Sequence, residues 1–170
     1  MVASKIQQVF ASLAIGTLAF SAMPLSAQTI AQAGRFSPAW DDCEDVQMEM
    51  AYLLKLSDSP LAQNPAPFND MVSGVGGQSC VLSATVSRQN FQNAAQLRNA
   101  LKPMLTKQGW VENNQYAASG VDETQIGFWK GEEVRVAILR IEAEDNPNIA
   151  PSQRGYKVTI QMAQPQVPSL

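Results

Sequence analysis

Residues 126–142 read IGFWKGEEVRVAILRIE, and their pattern sets the fold class. Two apolar runs flank Lys130-Gly131-Glu132, a short polar link whose glycine tolerates turn backbone. The stretch reads as a β-hairpin, Ile126–Lys130 against Glu133–Glu142. In the second arm Val134, Val136 and Ile138 share a face by strand alternation. Leu139 and Ile141 break that phase, which requires a bulge or burial on both faces.

Other segments downstream and upstream of the hairpin carry the same period of two. Tyr156, Val158, Ile160 and Met162 alternate through a last strand, and Cys80, Leu82, Ala84 and Val86 through a first one. Trp110-Val111-Glu112 starts a further strand directly after Gly109. Between these lie two segments of helical period. Trp40, Cys43, Val46, Met50, Leu53 and Leu54 form one apolar stripe, opened by Ser37-Pro38 as cap and first-turn proline and ending near Ser57. Asp41, Asp42, Glu44 and Asp45 lie near the positive end of that helix and read as a solvated helix start. Leu97, Leu101, Met104 and Leu105 form the second stripe, behind a capping-box-like Asn93-Ala94-Ala95-Gln96, with Pro103 inside it and Gly109 ending it.

From Asp58 to Ser79 the chain holds Pro60, Pro65, Pro67, Gly74, Gly76 and Gly77 and shows no clear period. It reads as a long loop, of the kind that often carries function. Gly74-Val75-Gly76-Gly77 lacks the spacing of a phosphate loop, and no Lys-Ser/Thr follows it. The expected fold is therefore α+β: a mainly antiparallel four- or five-stranded sheet with two helices packed on one face and one disulfide. The crossover through the second helix leaves room for one parallel neighbour.

The N-terminus reads as an export signal. One cation, Lys5, precedes Val9–Met23, an uncharged apolar run shorter than the roughly 20 residues of a membrane span. Pro24 ends the run, and Ala31-Gln32-Ala33 suits signal peptidase, with Ala27 as the second choice of cut. Residues 1–33 are thus read as a cleavable secretory signal peptide, 34–163 as a single domain, and 164–170 as a disordered tail. Removing 33 of the 170 residues leaves 137, with 11 cations against 15 anions once Lys5 is gone. No later segment is apolar enough to span a bilayer, which places the mature protein in the periplasm or outside the cell.

Cys43 and Cys80 are the only thiols. In an oxidising compartment two cysteines read as one disulfide. Neither suits catalysis: Asp41, Asp42, Glu44 and Asp45 around Cys43 oppose thiolate formation, and Cys80 has no charged neighbour.

The catalytic inventory is short. The chain has no His, which removes the commonest acid–base group and metal ligand. Glu132 and Glu133 would point to opposite faces of a strand, and Glu144-Asp145-Asn146-Pro147-Asn148 lacks the spacing of a Ca²⁺ loop. No cofactor and no metal site is expected. A net charge of −3 lacks the basic footprint of a nucleic-acid binder. What stands out is the sheet face away from the helices. With Ile126 and Phe128 inward, Trp129 points outward, and the same reckoning sends Ser83, Thr85, Arg135, Lys157, Thr159 and Gln161 outward too. An exposed Trp among hydroxyls, amides and cations offers a surface for a peptide, a glycan or an envelope protein. The expectation is a non-enzymatic binding or accessory protein; the alternative is a small exported hydrolase working through carboxylates without His.

Overall fold

A computed structural model describes residues 36–56, 61–119, 123–144, 147–150 and 154–166. The expected signal segment, residues 1–33, lies outside the described residues. In chain order the elements are β1 (Phe36–Pro38), α1 (Trp40–Leu53), β2 (Ala62–Asn69), β3 (Gly76–Val86), α2 (Ala94–Lys107), β4 (Val111–Ser119), β5 (Glu123–Lys130), β6 (Arg135–Ala143) and β7 (Tyr156–Pro165). The fold is α+β, with two helices and a Cys43–Cys80 disulfide.

The sheet is larger than expected. It has seven strands in the order β2-β3-β1-β7-β6-β5-β4 and is mixed, because β1 runs parallel to β3. Two of the additional strands come from segments read otherwise. Ala62–Asn69, expected as part of the Asp58–Ser79 loop, pairs antiparallel with β3 from Ala62↔Ser83 to Asn69↔Gly76. Its two prolines are tolerated because β2 is an edge. Spaced two apart, Pro65 and Pro67 put both missing N–H groups on the solvent side.

Ser37-Pro38, expected to open the first helix, is strand instead. Ser37 pairs with Gln164 and Pro38 with Ala163. The helix starts two residues later, at Trp40 behind Ala39, which makes no side-chain cap. β1 enters where β3 and β7 part below Cys80↔Met162, and Gly77 is what lets it in: a Cβ there would run into the Phe36 backbone. β7 in turn runs through Gln164 and Pro165, which the sequence pattern assigned to the tail.

Strand alternation then separates two cores. On the helix side Cys43, Val46 and Met50 of α1 and Leu97, Leu101, Met104 and Leu105 of α2 pack with Leu82, Phe128, Ala137, Leu139, Ile141, Val158, Ile160 and Met162. The disulfide joins α1 to β3 inside this core, with both cysteines fully buried and Cα atoms 6.6 Å apart. On the opposite face Phe36, Phe68, Tyr116, Val136, Ile138 and Ala163 form a smaller cluster. The phase break in β6 is therefore double-sided burial: Ala137, Leu139 and Ile141 face the helices, Val136 and Ile138 face away. Asn93 caps α2, its Oδ1 accepting from the Gln96 amide at 2.9 Å, and Gly109 follows with φ +87°.

Candidate functional site

The face away from the helices divides into a closed half and an open half. The closed half is built from aromatic rings. Phe36 and Phe68 meet edge to face with centroids 4.9 Å apart. Tyr116 arrives from β4, whose register shifts between Asn113 and Ala118, so that the bulge throws its ring across the sheet. The ring lies over Gly127, where a Cβ would collide with it. Its hydroxyl donates to Asp70 Oδ1 at 2.6 Å. Burial pushes the Tyr116 hydroxyl well above the usual phenol range, reinforced by the hydrogen bond to Asp70 and that carboxylate's charge.

Asp70 is buried at the β2–β3 turn. It also accepts from the amides of Val72 at 3.2 Å and Ser73 at 3.1 Å, and from the Ser73 hydroxyl.

The open half carries cross-strand polar pairs. Ser83 stands opposite Thr159 and Thr85 opposite Lys157 on β3 and β7. Arg140 stands opposite Thr159, and Glu142 opposite Lys157, on β6 and β7. Arg140 gives one guanidinium nitrogen to Gln125 Oε1 at 2.8 Å and lies 3.2 Å from Glu123 and 3.9 Å from Glu142. Gln125 is buried and donates to the Tyr116 carbonyl at 2.8 Å, so the polar half is anchored to the bulge that closes the other half. Two cations and two carboxylates leave this surface close to neutral.

The residues expected to form one binding face are not all together. Trp129 is 44% exposed and aligns with Val136, which aligns with Ala163. Thr159 and Lys157 lie four and six residues further along β7, about 13 and 20 Å away by strand rise. Gln161 lies between Ala163 and Thr159 and is engaged, donating to the Pro67 carbonyl at 2.9 Å and to Ser79 Oγ at 2.7 Å.

Arg135 is on the other side of the sheet. Together with Lys130 it holds Asp42, at 2.9 and 2.8 Å. Asp42 itself, expected to be solvated with Asp41, Glu44 and Asp45, is only 3% exposed. Arg140, Glu123 and Gln125 belong to the open half but were not singled out from sequence. The signal for Arg140 is its step of two from Val136 and Ile138, masked because both faces of β6 are apolar; Glu123 and Gln125 keep the same step of two from Trp129 along β5.

The buried carboxylates are occupied by structural partners. Asp42 is paired with two cations, and Asp70 receives four hydrogen bonds, so neither is placed as a free base. Of the acidic loop, Glu144 Oε2 accepts from the Gly155 amide at 3.2 Å; Asp145 and Asn146 lie outside the described residues. Among the described residues, no group of three or more metal-ligating side chains comes together.

In comparisons with protein-family models, curated proteins and solved structures, nothing matches the chain. A disulfide of this kind persists in oxidising compartments. No described helix is long and apolar enough to cross a membrane.

Proposed function

We propose that the protein is an exported, non-enzymatic binding or accessory domain of the bacterial periplasm or exterior, and that the open half of its sheet is the binding surface. One observation carries the reading. The sheet buries one face under helices and half of the other under aromatic rings, yet leaves Ser83, Thr85, Arg140, Lys157 and Thr159 in register on the remaining half. Hydroxyls interleaved with paired charges suit neutral polar partners, such as extended peptides or glycans, better than polyanions. Trp129, Lys157, Thr159 and Gln161 remain the residues singled out for contact, with Trp129 at the far end of the same face. Arg135 serves the fold through Asp42.

The test is binding of the oxidised domain to peptide and glycan arrays, with Thr159→Arg and Lys157→Glu as face-blocking variants. The reading expects ligands that bind the native domain and are lost in both variants at unchanged melting temperature. Ligands retained by both variants would place the binding surface elsewhere.

A further inference from the structure

We propose that the Asn69–Val75 tip of the β2–β3 hairpin is a hinged flap, latched shut over the apolar half of the sheet by the hydrogen bond from Tyr116 to Asp70. Strand order makes the geometry unusual. β2 and β4 are opposite edges of a seven-stranded sheet, six strand spacings apart where β1 lies between β3 and β7 and five where those two strands pair directly. In a flat sheet those edges would stand about 24 to 29 Å apart. Tyr116 Oη and Asp70 Oδ1 are nonetheless 2.6 Å apart. The hairpin therefore curls over the face away from the helices, and a side chain from the far edge meets it.

The tip is built to move as a unit. Its turn is tied internally by Asp70 N to Val75 O at 2.9 Å and Gly74 N to Asp70 O at 2.7 Å, and by the bonds from Val72 and Ser73 to the Asp70 carboxylate. Gly74 takes φ +72°, and Gly76 and Gly77 lead from the turn into β3. Gln161 fixes the root of the hairpin through Pro67 and Ser79. Beyond that root, among the described residues, a single side-chain hydrogen bond joins the tip to the rest of the sheet, the one from Tyr116. Val75 supplies an apolar contact to the cluster beneath. Met71 and Val72 on the tip are exposed and add no hold. Opening the latch exchanges a face with only its polar half exposed for one that also presents Phe36, Phe68, Val136, Ile138 and Ala163.

The test compares the native protein with Tyr116→Phe, which removes the hydroxyl and keeps the ring. Methyl NMR relaxation dispersion reads opening at Val75, Val136 and Ile138, with Leu101, Leu139 and Ile141 reporting the main core. Binding of anilinonaphthalene sulfonate reads the exposed apolar surface. Losing a hydrogen bond to a carboxylate is expected to raise the open population roughly tenfold or more. Exchange should then appear at the three flap-side methyls alone, with increased dye binding. Gly127→Ala, which displaces the Tyr116 ring, should reproduce both effects with the hydroxyl present. Unchanged flap-side methyls in both variants, or equal loosening of the two cores, would overturn the latch.

Discussion

Arg135 donates to Asp42 Oδ2 at 2.9 Å, and this contact fixes which side of the sheet does what. Lys130, opposite Arg135 in the β5–β6 register, reaches the other oxygen at 2.8 Å. The first turn of α1 is thereby clamped to the closed end of the hairpin. Asp42→Ala removes the buried partner of two cations that remain partly exposed and recover some hydration. Its expected cost is about 2–3 kcal/mol, at the lower end for breaking a buried pair. Arg135→Ala should cost less, because Lys130 still neutralises Asp42. Urea unfolding of the two variants checks the order; equal costs would mean that the clamp depends on Arg135 alone.

The Cys43–Cys80 bridge spans a sequence separation of 37. Loop-closure entropy for that span gives up to roughly 4 kcal/mol. Reduction should lower the urea midpoint accordingly. Because both sulfurs are buried, reduction in native buffer should be slow and should accelerate with added denaturant. Fast reduction without denaturant would place the bridge at the surface.

Tyr116 makes an alkaline prediction. Its folded-state pKa is raised by burial first and Asp70 second. The folded protein therefore keeps a proton that the unfolded chain loses near pH 10. This contribution to stability is complete below about pH 10 and falls as pH rises above it. The stability difference between native protein and Tyr116→Phe, followed by denaturation from pH 8 to 11, should shrink above about pH 10. A difference independent of pH would remove Tyr116 as the titrating group.

Trp129 tests the division of the outer face. It is 44% exposed and is not part of the Phe36–Phe68 cluster. Trp129→Ala should change stability by less than about 1 kcal/mol, whereas Val136→Ala, directly opposite and buried, should cost clearly more. A large loss in Trp129→Ala would make Trp129 a packing residue and withdraw it from the binding surface.

Much of the frame was legible because it follows local periods. The alternation from Tyr156 to Met162, the stripes from Cys43 to Met50 and from Leu97 to Leu105, and two cysteines all report burial within a few residues of themselves. The phase break at Leu139 and Ile141 is legible too, but it fits a bulge as well as burial on both faces, and only the cluster around Val136 and Ile138 decides for the second. The features that escaped are non-local. Pro65 and Pro67 mark a loop or an edge strand equally well, and only pairing with β3 decides between them. Three residues of β1 form strand because Gly77 and β7 receive them from far along the chain. Asp42 meets Lys130 and Arg135 across 88 and 93 residues of sequence. On the site, alternation put Trp129 and Thr159 on one face but gave no distance between them. Arg135 could be assigned a side only once Trp129 was seen to align with Val136.

Export and the disulfide staple underlie the whole functional reading, and intact mass tests them together. The protein recovered from the exported fraction is weighed after thiol alkylation, with and without prior reduction. The account predicts a chain beginning at Gly34 that takes up no alkylating agent until it is reduced, and then takes up two equivalents. A full-length chain whose Cys43 and Cys80 are alkylated without reduction would contradict it.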